Sequence, residues 1–274
     1  MQKLSKKVMA VVSAVAMSTC MMSVSLTASA FDNDSTRALP YADAFWKKWK
    51  QGDSAWGSQS LGGSGAGTMA SAGCVITSIA VAAQSYGVTF NGSSSSITPL
   101  TVLQRAKSTG AITTSGDYVW GNTSKLFNGL VYAGKQENLT TESAMASSVK
   151  AKLSDTSKEN AVIICFSGQH YVLADHMVGN TIYVFDPATG GVVTLATALA
   201  RKSSYKLSGY FYFNVTCQMR GDINNDGRVD TTDSRLALQY AVGSITLTPA
   251  QLKAADFNGD GVVDTTDSRL IMQS

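Results

Sequence analysis

The cysteine, histidine and aspartate at positions 74, 170 and 186 have the side-chain chemistry that nucleophilic acyl transfer requires. Cys74 follows Gly73 at the end of a Gly/Ser-rich loop, and it opens the apolar stretch CVITSIAVAAQS. This stretch predicts a helix over residues 74–85, which would place the Cys74 thiol at a helix N-terminus. The helix dipole and the unpaired amides there favour the thiolate, so we predict a nucleophile at Cys74. A small buried cysteine without reactivity is the alternative interpretation.

A cysteine nucleophile needs a base, and the chain contains only two histidines, His170 and His176. His170 begins a predicted strand, and Asp186 follows the next predicted strand sixteen residues later. A hairpin with a three- to five-residue loop around Val178 would set His170 nearly opposite Asp186, on the same face. The carboxylate would then fix the imidazole tautomer while the other ring nitrogen faces Cys74. His176 falls near the hairpin tip and is the rival base.

Gln51 is the candidate donor to an oxyanion, because its side-chain amide would lie beside the Cys74 backbone N–H. It precedes Cys74 by 23 residues, in the segment KWKQGDSAW. An ordinary exposed polar residue after a lysine-rich helix is the alternative interpretation. No cofactor is predicted for the catalytic step.

Helices in the first half of the chain and strands in the second half would position these residues. The predicted helices cover residues 41–49, 74–85, 98–108 and 143–153, with a loop over residues 57–73. The predicted strands cover residues 161–167, 170–176, 181–185 and 210–215. Helices followed by antiparallel strands indicate an α+β domain. The tryptophans at its start are expected to pack in the core, although a substrate groove is an alternative.

The chain resembles the papain-like cysteine peptidases, and most closely the C39-like peptidase family, over about residues 41–215. The matching features are Gln-x-Asp-x-x-Trp (Gln51, Asp53, Trp56), Gly73-Cys74 before an apolar helix, His170 before apolar strand residues, and Asp186-Pro187. The resemblance implies a papain-like fold, a helical part plus an antiparallel sheet, over residues 31–220. It also implies a peptidase in which Cys74 attacks a carbonyl, His170 moves the proton, Asp186 orients His170, and Gln51 with the Cys74 amide holds the oxyanion.

Two other functions remain open for this domain. A cell-wall amidase or acyl transferase would use the same Cys-His-Asp triad, and a catalytically silent binding domain would use none of it. His176 departs from the family pattern, which often has glycine after the histidine strand. Of the other cysteines in the mature chain, Cys165 is predicted to be a core residue, and a disulfide between Cys165 and Cys217 is possible in an exported protein.

The C-terminal segment repeats itself at a shift of 34 residues: DINNDGRVDTTDSRL begins at Asp222 and DFNGDGVVDTTDSRL at Asp256. Each copy has Asp, Asn and Asp at loop positions 1, 3 and 5, Gly at 6, and Asp at 9 and 12. A calcium ion takes six to eight oxygen ligands, and alternate residues of a tight loop converge on it. We therefore predict two calcium ions. The predicted ligands are Asp222, Asn224, Asp226, the Arg228 carbonyl, Asp230 and Asp233 in the first loop, and Asp256, Asn258, Asp260, the Val262 carbonyl, Asp264 and Asp267 in the second.

Helices are predicted after each loop, over residues 234–242 and from 268, and a linker helix is predicted to start at Thr248-Pro249. This layout resembles the dockerin family, type I-like, and implies a small all-α domain over residues 221–274. The resemblance also implies calcium-dependent docking onto a cohesin domain of a scaffolding protein, in a cellulosome-type assembly. In that family loop positions 10 and 11 face the cohesin, and here they are Thr231, Thr232, Thr265 and Thr266.

Because both copies have the same residues at positions 10 and 11, either half is expected to dock. The second helix has room for only seven residues after Asp267, so the C-terminal half is expected to be less complete. Loops that only stabilise the fold are the alternative.

Residues 1–30 have the features of a secretory signal peptide: three lysines, an apolar run over residues 8–24, and Ala28-Ser29-Ala30. A membrane-spanning N-terminal helix is the weaker alternative, because serines and a threonine interrupt the run. Without the leader, the 22 basic residues fall by three to 19, which equals the 19 acidic residues. This balance does not indicate binding to nucleic acid or to a membrane. The predicted location is extracellular, on a cell-surface scaffold.

Overall fold

The computed structural model describes residues 35–36, 45–93, 95–155, 159–167, 169–216, 219–224, 228–247 and 249–274. The predicted signal peptide, Cys217, Asp226 and the predicted helix cap Thr248 lie outside these ranges. Residues 41–44 of the first predicted helix also lie outside them; Phe45–Lys48 is a short 3-10 helix.

Most helices of the first domain precede its long strands, as predicted. They are Met69–Ala72 (α1), Cys74–Ser85 (α2), Pro99–Thr109 (α3), Thr123–Leu126 (α4), Glu142–Leu153 (α5) and Leu195–Leu199 (α6), with a 3-10 helix at Trp120–Asn122. The predicted bounds of α2 are confirmed, and Thr98 caps α3 by accepting a hydrogen bond from the Thr101 amide. Helix α1 lies inside the segment that was predicted to be loop.

The strands form an antiparallel sheet, which confirms the α+β class. They are Ser35–Thr36 (β1), Thr89–Phe90 (β2), Phe127–Asn128 (β3), Leu130–Glu137 (β4), Glu159–Phe166 (β5), His170–Val178 (β6), Thr181–Phe185 (β7), Val192–Thr194 (β8) and Leu207–Val215 (β9). Within the described ranges, the main sheet has the order β4-β9-β5-β6-β7-β8, with β1 on β6, and β2 pairs with β3 separately. The central strand β6 therefore starts at His170, the predicted base.

The two faces of the sheet belong to different apolar clusters, because alternate side chains of a strand point to opposite faces. Leu173 of β6 packs in the cluster that contains Ile79 of α2. Val172, its neighbour on β6, packs in the cluster that contains Val149 of α5. Helix α2 thus lies against one face of the sheet, and its first residue is Cys74.

The C-terminal segment contains the helices Thr231–Ala241 (α7), Pro249–Ala255 (α8) and Thr265–Met272 (α9). Helices α7 and α9 begin three residues before their predicted starts. The reason is that Asp230 and Asp264, at loop position 9, act as N-caps and form capping boxes. In each case the third helical residue, Asp233 or Asp267, completes the box.

The C-terminal segment packs directly on the rest of the protein. Phe257 belongs to the same buried apolar cluster as Trp46. Arg220 Nη1 donates to the carbonyls of Asp256, at 2.9 Å, and Phe257, at 3.2 Å. The same guanidinium lies 6.0 Å from the centre of the Trp46 ring. Arg220 therefore joins the second predicted calcium loop to the start of the first domain.

Candidate catalytic site and calcium loops

His170 and Asp186 form a buried hydrogen-bonded pair. His170 Nε2 and Asp186 Oδ1 are 2.8 Å apart, and their side chains are 4% and 0% exposed. The hairpin that joins them differs from the prediction: its loop has two residues between Val178 and Thr181, and a bulge follows Ala174. Leu173 pairs with Phe185, so Asp186 lies opposite Val172 rather than opposite His170. The pair is therefore diagonal, two residues apart on one face.

Asp186 has donors on both carboxylate oxygens. The Ala188 amide donates to Oδ1 at 2.9 Å, and Arg201 Nη1 donates to Oδ2 at 2.7 Å. Burial acts to raise the pKa of Asp186, but the hydrogen bonds from His170 and Ala188 and the charges of His170 and Arg201 lower it below its ordinary value. The carboxylate is thus held ionised. Arg201 was not predicted, since nothing in its sequence neighbourhood marks it.

His176, the rival base, has a different carboxylate partner. Its Nδ1 lies 2.8 Å from Oδ2 of Asp175, and its ring stacks on Tyr183 with centroids 4.4 Å apart and planes 7° apart. The other oxygen of Asp175 lies 2.6 Å from the buried Lys47 ammonium. Neither Lys47 nor Asp175 was singled out in the sequence.

Cys74 is the first residue of α2, as predicted, but the expected preference for the thiolate is wrong. Burial raises the pKa of the Cys74 thiol to about 11, because desolvation outweighs the amides of Tyr171, Val75 and Cys74 that lower it, and the charge of Asp186 raises it further. The thiol donates to the Ala72 carbonyl at 3.9 Å, and it is not hydrogen bonded to His170 within the described structure. It lies instead against the backbone of Tyr171, the residue after His170.

Two glycines allow close backbone contacts near the candidate site. A Cβ on Gly73 would lie 2.5 Å from the Met69 carbonyl oxygen, so only glycine lets α1 and α2 abut at Cys74. Gly190 has a φ of +69°, and a Cβ there would lie 2.6 Å from the Lys48 carbonyl oxygen. The loop after Asp186 therefore packs against the segment that leads to Gln51.

Gln51 is buried, at 8% exposure, so the interpretation as an exposed polar residue is wrong. Its backbone N–H donates to the Pro187 carbonyl at 2.7 Å, beside Asp186. Its side-chain Nε2 donates to the Ala70 carbonyl in α1 at 2.9 Å. The amide nitrogen carries two hydrogens, and the contact with Ala70 uses one of them. Gln51 thus lies between the segment that carries Cys74 and the loop after Asp186.

The remaining cysteine and tryptophan predictions concern packing. Cys165 is a buried thiol, 8% exposed, which confirms the core prediction. The suggested bridge from Cys165 stays a prediction, because its partner Cys217 lies outside the described residues. Trp46 and Trp56 are 3% and 6% exposed in the apolar core, which confirms that they pack there rather than line a groove.

The last aspartate of each predicted calcium loop closes that loop. Asp233 Oδ1 accepts the amides of Ile223 and Asn224, at 2.8 and 3.1 Å, and Oδ2 accepts the Asp230 amide at 3.0 Å. Asp267 repeats this pattern with the amides of Phe257, Asn258 and Asp264, at 2.8, 3.1 and 2.9 Å. Both carboxylates are completely buried. The two loops therefore have the same local hydrogen-bond pattern.

The second loop is described in full, and its side-chain oxygens face its own amides. Asp256 accepts the amides of Gly259 and Gly261, at 2.9 and 3.0 Å, and Asp260 accepts the Val262 amide at 2.8 Å. Burial raises the pKa of Asp256, and the charge of Asp267 adds to this. Across the described residues no group of three or more acidic, histidine or cysteine side chains is arranged around a metal position. The donor set itself, carboxylates, an amide and a carbonyl, is the chemistry that a hard cation requires.

The two copies face each other through reciprocal hydrogen bonds. Ser234 Oγ donates to the Ser268 carbonyl at 2.7 Å, and Ser268 Oγ donates to the Ser234 carbonyl at 2.8 Å. The threonines predicted to face a partner follow the same symmetry: Thr231 and Thr265 are exposed, and Thr232 and Thr266 are half-buried. The halves thus present equivalent first turns.

Comparison with known families identifies the C-terminal segment. The model of the dockerin type I domain matches residues 220–274, so this segment is a dockerin domain. Such a domain indicates cohesin-binding attachment to a cellulosome-type scaffold, and type I dockerins generally bind calcium. Searches of curated proteins and of solved structures found no match to the chain. Within the described residues, no helix has the length and apolar character needed to cross a membrane.

Proposed function

We propose that residues 31–220 form a secreted, papain-like cysteine peptidase that the dockerin holds on a cohesin-bearing extracellular scaffold. The observation that carries the catalytic part is the buried His170–Asp186 hydrogen bond, on a strand whose next residue, Tyr171, lies against the Cys74 thiol. The Cys74 backbone lies at the start of a twelve-residue helix, where amides are available to stabilise negative charge.

The raised pKa of Cys74 determines the first step. The resting thiol is neutral at neutral pH, so His170 must take its proton as attack begins. Asp186 occupies Nε2 of His170, which leaves Nδ1 as the nitrogen for this transfer. The thiol and imidazole are not hydrogen bonded at rest, so we expect substrate to bring them together, as happens in many active sites.

The later steps use the same groups. Cys74 sulfur attacks the substrate carbonyl carbon, and the Gln51 side-chain amide with the Cys74 N–H stabilises the oxyanion. The proton held by His170 passes to the leaving amine, and a thioester remains on Cys74. Water, deprotonated by His170, then hydrolyses the thioester and regenerates the thiol.

The test of the catalytic proposal uses the full chain after the signal peptide. We expect it to cleave members of a diverse peptide library, and Cys74→Ala to eliminate cleavage. Cys165→Ala is the matched control, because that thiol is equally buried but lies in β5; it should mainly lower stability. Release of amine or cross-linked products from peptidoglycan, with no peptide cleavage, would replace the peptidase by an amidase or transferase. Full activity of Cys74→Ala would refute the peptidase, the amidase and the transferase alike, since all of them use Cys74 as nucleophile.

The docking part of the proposal assigns two calcium ions to the predicted ligand sets, and the threonine pairs that start α7 and α9 to the cohesin surface. Bound calcium would supply the positive charge that the acidic loops need for folding around it. We expect Asp226→Ala together with Asp260→Ala to abolish binding to a cohesin in calorimetry. Asp117→Ala, an exposed aspartate of the first domain, is the control and should bind normally. Undiminished affinity of the double variant in chelator would overturn the docking proposal.

A further inference from the structure

The segment after α6, residues 201–205, contacts the His170–Asp186 pair from outside the hairpin. Arg201 Nη1 donates to Asp186 Oδ2 at 2.7 Å. The Tyr205 ring stacks on the His170 ring, with centroids 5.4 Å apart and planes 10° apart. Ser204 Oγ donates to the side-chain oxygen of Gln169, the residue before His170, at 2.9 Å. One short segment thus touches both members of the pair and their neighbour.

From these contacts we infer that the 201–205 segment positions the proposed catalytic pair: Arg201 sets the orientation of Asp186, and Tyr205 sets the plane of the His170 ring. Neither residue touches the reacting atoms, so both act through the pair. The expected effect on catalysis rests on the proposed function. The expected effect on the orientation of His170 and Asp186 rests on the contacts alone.

Arg201 decides which carboxylate oxygen meets His170. Asp186 is completely buried, and its Oδ2 has Arg201 as its donor, whereas Oδ1 receives His170 and the Ala188 amide. Removal of the guanidinium would leave a buried oxygen without a donor, and the carboxylate would rotate to share its two remaining donors. The hydrogen bond that selects Nε2 of His170 would weaken with it.

Tyr205 restricts a different motion. An imidazole can make a half-turn about its Cβ–Cγ bond, which exchanges Nδ1 with Cδ2 and Nε2 with Cε1, and it can also tilt. The buried face of Tyr205, parallel to His170, opposes the tilt, while the Asp186 hydrogen bond opposes the exchange. The ring needs both constraints to present Nδ1 in one direction.

The charged and titratable groups that face Asp186 come from three elements: His170 from β6, Arg201 from the segment after α6, and the Cys74 thiol from α2. Arg201 lowers the pKa of Asp186, so its loss raises that pKa. A protonated Asp186 does not accept a hydrogen bond from Nε2–H with the strength of a carboxylate. The acid limb of the activity profile should therefore move to higher pH without Arg201.

The experiment reads the histidine tautomers by nitrogen NMR of the histidine-labelled full chain, which has only two histidines. In the wild type we expect neutral His170 to carry its proton on Nε2 and His176 on Nδ1, since those nitrogens face Asp186 and Asp175. Arg201→Met should mix the His170 tautomers and leave His176 unchanged as the internal standard. Arg201→Lys should restore most of the Nε2–H signal.

Activity provides the second readout. Arg201→Met should lower kcat by about 10- to 100-fold with little change in KM, as loss of a group behind a functional residue typically does. Tyr205→Leu should lower kcat similarly and Tyr205→Phe should not, because the ring rather than the hydroxyl meets His170. Lys206→Met, an exposed neighbour, is the control.

The outcomes separate the two proposals. An unchanged His170 tautomer and an unchanged pH profile in folded Arg201→Met would overturn the positioning role while the peptidase stands. A wild type that cleaves no substrate, with the tautomer shift still present in Arg201→Met, would overturn the peptidase while the positioning role stands.

Discussion

Two histidine–aspartate pairs have their histidines on strand β6, and both pairs have a nitrogen–oxygen distance of 2.8 Å, but they differ in burial and in partners. His170 and Asp186 are 4% and 0% exposed and have an arginine partner, whereas His176 is 27% exposed and its Asp175 has a lysine partner. One pair uses Nε2 and the other Nδ1. A histidine–aspartate contact therefore does not define a catalytic site by itself. The first pair is linked to the start of α2 in two ways: Tyr171, the residue after His170, lies against the Cys74 thiol, and the charge of Asp186 acts on that thiol.

The second pair has a structural interpretation through Lys47. Lys47 and Asp175 lie 2.6 Å apart with side chains 2% and 4% exposed. Their ion pair ties the 3-10 helix that precedes Gln51 to strand β6. The Asp175 pair thus holds two segments of the proposed site together, and the Asp186 pair is proposed to do the chemistry.

The sharpest test of the comparison removes each histidine in turn. His170→Ala should lower kcat/KM by about 10²- to 10⁴-fold, the usual range for loss of a general base. His176→Ala should be mild, because its imidazole stacks on Tyr183 near the hairpin tip. If His176→Ala were the inactive variant and His170→Ala kept near-normal rates, the two pairs would have to exchange roles.

The cations of the two pairs should differ in their effect on stability. Lys47→Met leaves the buried Asp175 carboxylate without its ammonium, and we expect a loss of about 3–5 kcal/mol in the free energy of unfolding. Arg201→Met should cost less, because that guanidinium is 32% exposed and Asp186 keeps two other donors. Denaturant unfolding measures both, with the exposed Lys48→Met as the control. Equal losses would contradict the structural role of Lys47.

The aspartates can be compared by replacing each with asparagine. Asp186→Asn should be gentler than His170→Ala, because an amide oxygen still accepts from the imidazole. The loss should still be substantial, about 10- to 100-fold in kcat, since the asparagine NH₂ would face the Arg201 guanidinium. Asp175→Asn should leave kcat close to wild type in protein that remains folded. A larger kcat loss in Asp175→Asn would reverse the assignment.

The smallest expected effect concerns thiol labelling. With the pKa of Cys74 raised to about 11, iodoacetamide should modify it slowly at neutral pH and faster as the pH rises toward that value. The thiolate that the helix N-terminus predicted would instead have been labelled under mildly acidic conditions. His170→Ala should slow labelling at neutral pH and His176→Ala should not, because His170 is the proposed base and directly precedes Tyr171, whose backbone lies against the thiol. Equal labelling in both variants would remove the proposed link between thiol and base.

The local patterns of the chain predicted local structure well. The apolar run from Cys74 gave the bounds of α2, the Thr98-Pro99 pair gave the start of α3, and β-branched residues gave β6 and β7. Strand β4 was missed, since Gly134 and its polar end conceal the alternation that marks a strand.

Features that depend on distant residues were not predicted. Arg201 lies 15 residues from Asp186, and Lys47 lies far before Asp175, so no spacing rule joins them. The bulge after Ala174 and the two-residue turn shifted the hairpin register, yet the His170–Asp186 contact is present because diagonal neighbours also touch. The prediction of a thiolate at Cys74 was wrong because it considered the helix N-terminus but not the burial of the thiol, which raises its pKa.

The contacts of Arg220 affect the orientation in which the dockerin would hold the first domain on a scaffold. A Gly- or Ser-rich linker would allow the two domains to take many relative orientations. Here the Arg220 guanidinium contacts Trp46 and the carbonyls of Asp256 and Phe257, and these contacts restrict the relative orientation of the domains. The orientation of the first domain should therefore follow the orientation of the dockerin on its partner. Because the first turns of α7 and α9 are equivalent, a scaffold site would hold the first domain in one of two fixed orientations, and substrates of the proposed peptidase would have to reach it in those orientations.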